Sequence, residues 1–112
     1  MATVIEIKKY DISYYAGGKN VRGYPYRAII GLRDETDTFV AAAYFHHSEA
    51  TMPASDTLKA PGLVSCHYHA ADYPQVLDIL RNEKPVYVEF DERTNVANIR
   101  TSAEPVGEGE LS

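Results

Sequence analysis

All four histidines, His46, His47, His67 and His69, and the only cysteine, Cys66, fall within residues 46–69, with Cys66-His67-Tyr68-His69 unbroken. Imidazole and thiolate are the side chains most used for metal ligation and for proton transfer near neutral pH. If this run is a strand, His67 and His69 project from one face roughly 6 to 7 Å apart, while Cys66 and Tyr68 point to the other. Two imidazoles can then meet one metal, zinc or another divalent transition metal. A third ligand has to come from His46, His47 or Asp72, because a catalytic zinc takes three protein ligands. The competing expectation is that these are polar side chains on the wet face of a half-buried strand, with no cofactor.

Nucleophilic chemistry finds less support. Ser65 lacks the G-x-S-x-G context of a nucleophile elbow, and Cys66 reads as a small buried apolar residue. Gly17-Gly18-Lys19 lacks the length and the Ser/Thr of a phosphate loop and reads as a turn. The expectation is therefore a non-enzymatic chain. A further candidate is the tyrosine content, nine residues without tryptophan. Tyr14, Tyr15, Tyr24 and Tyr26 flank a loop with Lys19, Arg22 and Arg27 beside it. Aromatic rings next to basic side chains can stack bases and follow phosphates. Tyrosine is equally favoured at protein interfaces, and those in phase with Ile12 or Ile30 are also explained as core.

The elements that must position these residues read mainly as strands. Thr3 to Tyr15 alternates, but its apolar phase changes from Ile5 and Ile7 to Tyr10, Ile12 and Tyr14. A slip across Lys8-Lys9 implies a bulge or bend that lets one long strand serve both sides of a curved sheet. Ala16 to Gly23 forms a hairpin loop. In 24–33, Tyr24, Tyr26, Ala28, Ile30 and Leu32 share the core face, and a polar turn at Asp34 to Asp37 follows. Thr38 to Phe45 is apolar on both parities and predicts a central strand, with helix as the alternative because of its alanines. Residues 47–62 form a long connection, a length uncommon in compact domains unless functional or mobile.

Leu63 to His69 predicts a strand, and Tyr73, Val76, Leu77 and Leu80 recur at helical spacing, predicting a helix over 73–82. Asp72 and Gln75 have the spacing of a capping box, and Pro85 prevents continuation. Strands follow at Val86 to Phe90 and around Asn95 to Thr101. The expectation is one domain over 1–102, mainly β (β-rich α+β), with six strands and one helix, followed by a flexible acidic tail over 103–112. This order resembles the OB-fold, a small Greek-key barrel with a helix before its fourth strand. The added strand at Leu63 to His69 departs from that pattern and leaves another six-stranded barrel or sandwich equally compatible.

The 112-residue chain carries a net charge of −5, which disfavours generic binding to nucleic acid or an anionic membrane. Residues 1–33 nevertheless hold six basic and two acidic side chains, against five basic and fourteen acidic in the remainder. No apolar run approaches the ~20 residues that cross a bilayer, and no secretory leader is expected. One cysteine cannot form an intrachain disulfide, so the default setting is cytoplasmic. Taken together, the sequence predicts a small interaction module that self-associates or docks a protein through a tyrosine-rich sheet face. The alternatives are a metal-binding barrel or metal-dependent enzyme using His67 and His69, and a single-stranded nucleic-acid binder using the 14–27 loop.

Overall fold

The phase change across Lys8-Lys9 is a bend in one continuous strand. The structure, a computed structural model, describes residues 2–18, 24–60, 62–103 and 105–106. Its elements are β1 (Ala2–Ile7), β2 (Lys9–Tyr14), β3 (Tyr26–Arg33), β4 (Phe39–His46), β5 (Thr57–Lys59), β6 (Leu63–His69), α1 (Tyr73–Asn82), β7 (Val86–Asp91) and β8 (Val96–Thr101). Single 3-10 turns cover Glu49–Thr51 and Ala70–Asp72. β1 pairs antiparallel with β7, from Ala2 opposite Asp91 to Ile7 opposite Val86. β2 pairs antiparallel with β3, and Lys9 lies opposite Arg33. The Lys8 amide also reaches the Arg33 carbonyl, at 2.9 Å, so two residues face one and the strand swings from the first sheet into the second.

Two sheets result, ordered β1-β7-β8 and β2-β3-β4-β6-β5. They do not close into a barrel; they stack as a mainly β sandwich with one helix. The predicted 38–45 segment is strand, not helix, over Phe39–His46, and this β4 is the central strand, antiparallel to β3 and parallel to β6. Its alanines Ala41, Ala42 and Ala43 are buried on both faces, where the lack of bulk lets neighbouring layers approach. The inner face of the larger sheet presents Ala28, Ile30 and Leu32, then Ala41, Ala43 and Phe45, then Val64 and Cys66. These share one core with Val86, Val88, Phe90, Ala97 and Ile99 of the smaller sheet and Val76 of α1. Full burial of a side chain such as Phe45 stabilises by about 1.5–3 kcal/mol.

The helix spans the predicted residues, and β6 coincides with the predicted strand Leu63 to His69. Three expectations need correction. The capping box does not form: Asp72 makes no side-chain cap bond, because the preceding 3-10 turn holds it at helical angles (φ −85°, ψ −5°) in place of the extended ones a cap needs. The long connection contains a strand, β5, that pairs with β6 and raises the expected six strands to eight once the bent first strand is counted as two. The third concerns Tyr24 and Tyr26, predicted on the core face with Ala28. The β3–β4 register slips between Tyr26 and Ala28, so Tyr26 lies opposite His46 while Ala28 lies opposite Phe45. That irregularity at Arg27 turns Tyr26 to the outer face. Of the predicted tail over 103–112, residues 104 and 107–112 lie outside the described residues.

Candidate functional site

The outer face of the larger sheet carries a continuous row of rings. Successive centroids are 4.7 Å apart for Tyr15–Tyr24, 5.7 Å for Tyr24–Tyr26, 5.0 Å for Tyr26–Tyr44 and 5.2 Å for Tyr44–His67. The last pair is stacked at 13°, as expected for residues in register on parallel strands. Three of the predicted binding residues, Tyr15, Tyr24 and Tyr26, thus lie together. Tyr14 does not join them; it lies on the opposite face, edge-on to Tyr73 at 5.1 Å. Arg27 is half-buried, and its guanidinium donates to the Tyr15 carbonyl at 3.0 Å, so it holds backbone. Lys19 and Arg22 lie outside the described residues.

Next to this row the structure pairs two of the four histidines. His46 is only 1% exposed, and its Nε2 lies 2.9 Å from Nδ1 of His67. Its Nδ1 lies 2.9 Å from Thr51 Oγ1, whose hydroxyl donates to the Ser48 carbonyl at 3.0 Å. That donation decides the tautomers. With its one proton on Ser48, the Thr51 oxygen must accept, so His46 carries its proton on Nδ1 and presents a lone pair at Nε2. His67 must then donate from Nδ1, which leaves its own Nε2 bare. Burial lowers the pKa of both rings; His67 and His69 add to the effect at His46, and Asp56 opposes it at His67. The pair is neutral at pH 7 and can take one proton on His67 Nε2 without breaking the chain of bonds.

Both nitrogens of His46 are therefore committed, and His67 offers one. His69 lies opposite His46 in the β4–β6 ladder, and His47 is an exposed residue just past the end of β4. Among the described residues, no three or more His, Cys, Asp or Glu side chains are grouped to hold a metal ion. Cys66 faces the core as expected, and burial pushes its thiol up to about 12, so it is protonated and inert.

Asp56, which no sequence motif singles out, ties the 47–62 connection to both sheets. Its two oxygens accept the backbone N–H groups of His67 and Ala97, each at 2.8 Å, and so join β6 of one sheet to β8 of the other. The length of that connection was its only sequence signal. Asp56 and His67 also border a hollow of about 220 Å³ with Met52, Thr94 and Asn95.

The second unsatisfied surface is β2. All six of its residues are exposed, including Tyr10 (37%), Ile12 (40%) and Tyr14 (61%) on the same face as the core. The expectation that tyrosines in phase with Ile12 are core fails for Tyr10 and Tyr14, because β2 is an edge strand that α1 and the smaller sheet leave largely uncovered. The Tyr15 amide donates to the Arg27 carbonyl at 2.8 Å, in the same register as the β2–β3 ladder. Alternation then points the backbone groups of Lys9, Asp11 and Ser13 at β3 and those of Tyr10, Ile12 and Tyr14 away from it. A groove of about 490 Å³ separates the Lys9-Tyr10 end from the last turn of α1 at Leu80 and Arg81.

Comparison with known proteins returns no match to a family model, a curated protein or a solved structure.

Proposed function

We propose that this chain is a non-enzymatic interaction module that binds a protein partner by adding an extended segment to β2. The observation that carries the reading is that edge. It combines exposed Tyr10, Ile12 and Tyr14 with outward backbone donors and acceptors on those same residues. A row of unpaired N–H and C=O groups is a template for another strand, and natural edges are usually blunted by proline, inward charge or a covering element. Among the described residues no strand pairs with the free side of β2, and the strand itself holds no proline and no charge on its inner face; its charges, Lys9 and Asp11, lie on the outer one.

The other readings have less behind them. The basic side chain described near the tyrosines, Arg27, is occupied with backbone, and the net charge is −5, which weakens a nucleic-acid reading. The metal reading is left with one uncommitted nitrogen on the His46–His67 pair. The cytoplasmic setting belongs to the same proposal, supported by a single buried free thiol and by the absence, among the described residues, of any helix long and apolar enough to cross a membrane.

Amide hydrogen exchange tests the proposal. Extended peptides that alternate apolar and polar residues are titrated onto the protein. Slower exchange at the Tyr10, Ile12 and Tyr14 amides, with Asp11 and Ser13 unchanged, is the expected result. Unaltered exchange at all three, with every peptide and at every protein concentration, overturns it.

A further inference from the structure

We infer that the segment β2 receives is β2 of a second copy of this chain, paired antiparallel about a two-fold axis at Ile12. The inference rests on the strand-addition reading and names its partner. A two-fold axis perpendicular to the sheet keeps the inner face of one copy continuous with that of the other, so residues directly opposite must share a face. Centring on Ile12 places Ile12 against itself and Tyr10 against Tyr14 in both directions. All three exposed apolar residues are then matched, and aromatic and β-branched cross-strand pairs are the favourable ones.

The backbone agrees with the same register. Tyr10, Ile12 and Tyr14 are the residues whose N–H and C=O groups point outward. In this pairing each of them sits in a hydrogen-bonded position, so each pair exchanges both of its bonds. On the outer face Lys9 falls opposite Tyr15 and Asp11 opposite Ser13, and no like charges oppose one another. The neighbouring registers are worse. Centring on Asp11 sets two carboxylates directly against each other, and centring on Ser13 leaves Tyr10 facing Ala16. Six residues of edge bury less than the ~800 Å² per partner of a standard interface, so this dimer is weak and forms as concentration rises.

Cysteine substitution reads the register directly, since the native thiol of Cys66 is buried and inert. Residues opposite one another in a hydrogen-bonded pair have Cα atoms ~5.5 Å apart, within disulfide reach. Under mild oxidation the full-length Ile12→Cys protein should form a covalent dimer roughly tenfold faster than Tyr10→Cys or Tyr14→Cys alone, since neither of those opposes itself. Tyr10→Cys mixed with Tyr14→Cys should recover the fast rate. Sedimentation of the unmodified chain should show a dimer fraction that grows with concentration and disappears in Ile12→Lys. A monomer at every concentration, or equal rates for the three single variants, overturns the inference. If peptides still protect the three outward amides in that case, self-pairing fails while strand addition stands; if they do not, both fail.

Discussion

The carboxylate of Asp56 takes the backbone N–H of His67 at 2.8 Å, and its second oxygen takes that of Ala97 at the same distance. One side chain thereby spans the gap between β6 and β8, strands of separate sheets that no ladder joins. Asp56→Ala leaves two backbone donors without their charged acceptor and should lower stability by about 2–4 kcal/mol. Asp56→Asn keeps one acceptor but turns an amide donor on a backbone donor, so it should recover only part of the loss. Urea unfolding of the three proteins measures both. A loss within error for Asp56→Ala would mean that the clamp is not a structural bond.

The tautomers of the imidazole pair are open to direct measurement. Nitrogen chemical shifts of the rings should show both His46 and His67 protonated at Nδ1 at neutral pH. Thr51→Val removes the acceptor of the His46 proton and should cost about 1–2 kcal/mol. A neutral His67 carrying its proton on Nε2 would contradict the assignment.

The same pair gives stability a pH dependence. Burial depresses both pKa values below the ordinary 6.5. The unfolded chain therefore binds protons first as pH falls, and the contribution of these rings is fully present above about pH 6.5 and lost as pH drops through their folded values. Asp34 and Asp91, held below the usual carboxylate range by hydrogen bonds, act only at lower pH. Unfolding free energy should then decline between pH 7 and pH 5, and His67 should titrate before His46. A flat profile over that window would count against buried neutral rings.

Phe45 anchors the core beneath α1, stacked on Tyr68 at 5.4 Å and edge-on to Tyr73 at 5.2 Å. Phe45→Ala should cost about 3–5 kcal/mol, since both flanking rings lose their packing partner. Thermal melting, with tyrosine near-UV circular dichroism as the probe, checks the loss and its location.

Where local pattern decides structure, the sequence was informative. The apolar spacing of Tyr73, Val76 and Leu80 marks α1, and the phase slip at Lys8-Lys9 marks the shared strand, because period and phase are local properties. Strand parity also separated Cys66 from His67. Three features were not legible. The irregularity at Arg27 that turns Tyr26 outward has no compositional signature. The partners of Asp56 are backbone amides 11 and 41 residues away, and backbone groups look alike in every sequence. The exposure of Tyr10 and Tyr14 depends on strand order, and an edge strand with an apolar row reads like an internal one. For the histidines, spacing singled out His67 and His69, whereas the fold joins His67 to His46 through the parallel pairing of β4 and β6.

The pairing of Ala2 with Asp91 sets the order of events during synthesis. While the chain is still emerging, β2, β3 and β4 can pair with near neighbours, whereas β1, which comes before them in the chain, lacks its β7 partner until residues 86–91 have left the ribosome. The smaller sheet must therefore assemble last, and closing so distant a contact is a slow step for a small β domain. Until then the nascent chain shows two open edges in tandem, β1 without its β7 partner and β2, paired to β3, open on its other side. Crowding on a polysome would bring such edges together before either chain is complete.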